Sequence, residues 1–91
     1  MKLKENYMLR EIAGNFVVIP VGQNVVDYKN MLHLNETSVF LWNELQNDIT
    51  FETLLKSMAI KYEATEEEVP ILEKDLNEFL DQLRKMELLT E

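Results

Sequence analysis

At Asn35 the hydrophobic pattern of this chain changes period. Before it, apolar residues come in short runs rich in β-branched and aromatic side chains, over residues 7–13 (YMLREIA), 15–21 (NFVVIPV) and 25–34 (VVDYKNMLHL). After it, they recur at spacings of three and four. The first pattern suits strands and the second suits helices. A chain that makes this switch once, strands first, predicts an α+β domain: a three-stranded antiparallel sheet followed by three helices. Gly14-Asn15 is the expected tight turn of the first hairpin, and residues 22–24 the next loop. Pro20 cannot donate to a ladder, so it marks a strand end or an outward-facing position. Three strands cannot close into a barrel, so one edge strand is expected to stay unpaired.

Each predicted helix has a start signal. Asn35 offers a side-chain oxygen to a free first-turn amide, with Val39, Phe40, Trp42 and Leu45 as the apolar side of a helix ending near Leu45. Thr50 caps the second helix, and Ile49 with Leu54 has the spacing of a hydrophobic staple. Thr65 and Glu68 have the spacing of a capping box before the long third helix. Its apolar residues Val69, Leu72, Leu76, Phe79, Leu80, Leu83 and Met86 fall within roughly 120° of arc, a single amphipathic stripe. Pro70 requires either that regular helix starts near Val69 or that the first turn is distorted.

Composition narrows the classes. Ninety-one residues, 46% of them hydrophobic, suffice for one domain spanning 1–91 with one modest core. There is no cysteine for a disulfide or a thiolate metal site. No long apolar run suggests a membrane span or signal peptide, so a soluble, cytoplasmic protein without a membrane partner is expected. The net charge of −8 is uneven. Residues 1–35 hold four basic and three acidic side chains, whereas residues 36–91 hold five and 14.

Catalytic groupings are missing from the pattern. His33 is the sole histidine, and its place in an alternating strand suits an ordinary strand side chain better than a ligand. Two glycines, Gly14 and Gly22, make no phosphate loop. Glu66, Glu67 and Glu68 are consecutive and would diverge on a helix, so capping and solvation account for them better than a metal does. These features predict a non-enzyme without a cofactor.

Two binding readings remain. A sheet with three helices is winged-helix-like, and such domains often place a helix in the DNA major groove. Residues 66–86, however, carry Lys74, Arg84 and Lys85 against seven acids. That balance repels phosphate, so no nucleic-acid partner is expected. The other reading is a peptide-binding module in which an open strand edge accepts an added strand. Leu72, Phe79 and Met86 lie on one margin of the third helix's stripe, flanked by Asp75 and Gln82, where they could wall such a groove or simply pack in the core. A purely structural interaction domain stands beside DNA binding as the alternative.

Three blocks, REIAGNFVVIPVG, VVDYKNMLHLNETSVFLWNEL and KYEATEEEVPILEKDLNEFLDQL, resemble the PqqD family, small proteins of pyrroloquinoline quinone biosynthesis and their relatives. The most specific part is Leu34-Asn35-Glu36 followed by Trp42. The resemblance implies a non-catalytic adaptor that binds the leader segment of a ribosomally made precursor peptide. It also implies presentation of that peptide to a modifying enzyme, often a radical S-adenosylmethionine protein. The leader would add beside the third strand, against Val25, Val26, Asp27, Tyr28, Met31, Leu32 and His33, facing Leu72, Asp75, Leu76 and Phe79 of the third helix. Leu34, Asn35 and Trp42 would be scaffold. The open edge also leaves a homodimer available. Many relatives carry glycine before the last apolar pair, where this chain has Glu87.

Overall fold

The computed structural model describes residues 1–21 and 32–91. Strands β1 (Lys2–Leu3), β2 (Tyr7–Ile12), β3 (Asn15–Pro20) and β4 (Leu32–Leu34) come first, then helices α1 (Glu36–Glu44), α2 (Phe51–Lys61) and α3 (Val69–Lys85), and last β5 (Leu89–Thr90). β2 and β3 form an antiparallel hairpin with Ile12 opposite Asn15 and Tyr7 opposite Pro20. The turn therefore falls on Ala13-Gly14, one residue earlier than expected. Both have positive φ, 52° and 81°, the twist that a two-residue hairpin requires. Asn15 is displaced from the turn because it opens β3. Pro20 ends that strand, where a missing donor does least harm.

β4 pairs with the other side of β3, placing Leu32 opposite Val18, His33 opposite Val17 and Leu34 opposite Phe16. Among the described residues the strand order is β2-β3-β4, which leaves β4 at an edge. Its alternation sends Leu32 and Leu34 into the core and leaves His33 exposed.

Asn35 then changes the chain's direction. The Ser38 backbone N–H donates to its Oδ1 at 2.9 Å, and α1 begins. Thr50 does the same for α2, its Oγ1 accepting from the Thr53 N–H at 3.2 Å. The third start differs from a full capping box. Glu68 Oε1 accepts from both the N–H (3.1 Å) and the hydroxyl (2.9 Å) of Thr65, but that hydroxyl caps no helix amide. These bonds close a separate turn, and regular helix starts at Val69. Pro70 thus sits in the first turn, where the N–H it lacks would have had no helical acceptor.

β1 and β5 form a second, two-stranded sheet that the sequence pattern did not suggest. Lys4 N–H donates to Leu88 O (2.9 Å) and Leu3 N–H to Leu45 O (3.0 Å), tying this ribbon to the end of α1. The turn from α3 into β5 is a left-handed cap: Leu88 N–H reaches Leu83 O at 2.9 Å and Glu87 N–H reaches Arg84 O at 3.0 Å. Glu87 holds φ at 58°, in the left-handed region that favours glycine.

One apolar core unites these pieces. Leu41, Trp42 and Leu45 of α1 and its cap, Leu54 and Met58 of α2, and Leu76, Phe79, Leu80 and Leu83 of α3 meet Leu32 and Leu34 beneath the sheet. Among the described residues no polar or charged side chain is buried. No helix is long and apolar enough to cross a membrane among these residues.

Candidate functional site

The centre of α3's apolar stripe is spent on the core. Leu76 is fully buried, Leu72 is half-buried against the same cluster, and Phe79 retains only 6% of its surface. The neighbouring strip, Asp75, Glu78, Phe79 and Gln82, has the i, i+3, i+4, i+7 spacing of one helix face. It faces Thr37, Ser38 and Leu41 of α1, and the two helices with Asn35 enclose a cleft of about 330 Å³.

The cleft has an apolar floor and a polar rim. Leu41 is 1% exposed, so it offers the edge of a packed side chain, as Phe79 does. Asn35 and the α1 residues Thr37 and Ser38 supply an amide and hydroxyls on one wall, while Asp75, Glu78 and Gln82 supply two carboxylates and an amide on the other. Among the described residues no basic side chain lines it. Because Asn35 follows Leu34 directly, the end of β4 runs into the rim of the cleft.

Of the expected helix wall, Asp75 and Phe79 line this cleft; Leu72 and Leu76 do not. Of the strand wall, Leu32 is 2% exposed and His33 is exposed. Val25, Val26, Asp27, Tyr28 and Met31 lie outside the described residues. Thr37, Ser38, Leu41, Glu78 and Gln82 were not anticipated as lining, and Asn35 was expected only as a cap. The helical spacing of 75, 78, 79 and 82 was a usable signal for the α3 wall. The α1 wall had none, because it depends on how α1 packs on α3. Among the described residues, no three His, Asp or Glu side chains converge to hold a metal ion.

The family model described as Coenzyme PQQ synthesis protein D (PqqD) matches residues 16–89. The chain belongs to the PqqD family. The match runs from β3 through α3 to β5, so it includes every cleft residue. Among solved structures, the chain is similar to that of TbiB1 in complex with the TbiA(beta) leader peptide. They share 21% identity at a TM-score of 0.70, with 98% of this chain and 94% of that chain covered. The likeness shows a common fold, mixed α+β with a three-stranded antiparallel sheet and three helices. No curated protein matches the sequence.

Proposed function

We propose that this PqqD-family chain is a non-catalytic adaptor that binds the leader segment of a ribosomally made precursor peptide by strand addition. The observation that carries the reading is the position of β4. Among the described residues it pairs with β3 on one side only, and its end opens into the cleft between α1 and α3. An incoming chain would take hydrogen bonds from the free strand edge and side-chain pockets from the cleft. The TbiB1 structure, a complex with a leader peptide, supports this choice of ligand. In this reading the strand wall comprises Val25, Val26, Asp27, Tyr28, Met31, Leu32 and His33. Asp75 and Phe79 face the ligand directly, while Leu72 and Leu76 back Phe79 from the core.

The adaptor would work in the cytoplasm, where precursor peptides are made. Residues 1–91 would act as one recognition domain that hands its cargo to a modifying enzyme, with a radical S-adenosylmethionine enzyme as the proposed partner. An affinity near micromolar, about −8 kcal/mol, would let the cargo be released. Ordering a flexible leader offsets much of the contact energy. Nothing favours the DNA reading: α3 contributes Asp75 and Glu78 to the open cleft, and acids oppose phosphate. Calorimetric titration with the leader half of a precursor encoded beside this gene tests the proposal. Saturable one-to-one binding is expected, and no heat or shift at near-millimolar peptide would refute that pairing.

A further inference from the structure

The α3 wall of the cleft carries two carboxylates, Asp75 and Glu78. Asp75 and Glu78 are exposed and three residues apart, so two like charges share one helix face. Among the described residues neither has an ion-pair partner. Arg84, farther along α3, is already engaged by Asp81 at 2.9 Å and Glu91 at 2.7 Å. The opposite wall, Asn35, Thr37 and Ser38, brings no cation. Between the walls, Leu41 and Phe79 present an apolar floor.

The geometry points to a leader anchor in which a lysine or arginine stands two positions from an aromatic or aliphatic residue, the cation meeting Asp75 and Glu78 and the apolar side chain meeting Phe79 and Leu41. This rests on the strand-addition reading above. Alternate residues of an added strand face the same way, about 6.6 Å apart. Asp75 and Phe79 are four helical residues apart, about 6 Å along α3. A strand lying roughly along α3 therefore brings residues n and n+2 over the carboxylate and the phenyl ring together. A basic residue there relieves the Asp75–Glu78 repulsion, and an acidic one adds to it.

Selection of random dodecamer peptides displayed on phage against the intact protein, followed by titration of the synthetic winners, tests this. Winners should carry Lys or Arg two positions from an apolar residue. Their affinity should fall about five- to tenfold in the D75N/E78Q variant, both positions being exposed and outside the core. A comparable loss is expected between roughly 50 and roughly 500 mM salt, since the pairing is solvent-exposed. Replacing the peptide cation by glutamine should weaken binding to the wild type and have little effect in the variant. Winners that perturb the amides of β4 and α3 but are acidic or uncharged would overturn this inference while leaving strand addition intact. If no peptide perturbs those amides, the underlying reading fails with it. A dimer that shields the same amides would assign the cleft to a second copy of the chain.

Discussion

Replacing Glu87 with glycine should make the protein more stable, although it removes a side chain and adds none. Glu87 holds φ at 58° because Leu88 N–H must turn back to Leu83 O and Glu87 N–H to Arg84 O. An L-residue in this conformation costs about 1–2 kcal/mol. Glycine removes that cost but gives the unfolded chain more freedom, a loss of about 0.5–1 kcal/mol. Both hydrogen bonds are backbone to backbone and survive the change. The net expectation is a gain of about 0.5–1 kcal/mol, or a rise in Tm of roughly 2–8 °C for a domain of this size. Paired urea and thermal unfolding curves measure it. Lys85→Gly is the control: Lys85 is the last α-helical residue before this cap, and glycine there should cost up to about 1 kcal/mol. If Glu87→Gly destabilises as much as Lys85→Gly, the cap is not under the strain described. The change also bears on function, since this cap joins α3, one wall of the cleft, to the β1–β5 ribbon.

Three further outcomes are expected. Asn35→Ala should cost about 1 kcal/mol through the lost 2.9 Å bond to Ser38 N–H, with peptide affinity changing less than stability; abolished binding in a folded variant would assign Asn35 to the ligand instead. Phe79→Leu should cost roughly 1–2 kcal/mol of stability and also weaken peptide binding, whereas Phe79→Ala would remove about 3–5 kcal/mol and threaten the fold itself; unaltered affinity in a folded Phe79→Leu protein would remove that ring from the site. The third concerns acid. Hydrogen bonds from the Thr65 N–H and hydroxyl hold the Glu68 carboxyl below its ordinary value of 4.5. A depressed folded value means that the unfolded chain takes up the proton more readily. The contribution is complete above about pH 4.5 and disappears as pH falls through the folded value. Glu68→Gln keeps an acceptor but does not titrate, so its urea midpoint should fall less between about pH 5 and pH 3 than that of the wild type.

Local chemistry made much of the fold legible. The caps at Asn35 and Thr50 depend on side chains reaching amides three residues away, so composition at those positions suffices. The β2–β3 pairing followed from two β-rich runs around one glycine, but the turn moved because Ala13 adopts a left-handed conformation that its type does not advertise. β1 and β5 were hidden because two-residue strands show no period; their pairing depends on bringing the chain's two ends together. The cleft was half legible. Asp75 and Phe79 announced themselves at the margin of an amphipathic stripe, whereas Thr37, Ser38 and Leu41 joined them through tertiary packing alone. Leu76 shows the limit of periodicity: a stripe identifies an apolar face without dividing it between core and groove.

Strand addition at β4 can be tested by following the amides of isotopically labelled protein by NMR while adding the leader half of a neighbouring precursor peptide. The account predicts shifts over Leu32–Leu34 and along residues 75–82, with slowed hydrogen exchange at β4 amides that face away from β3. Shifts confined to the free edge of β2, or to the β1–β5 ribbon, would contradict it.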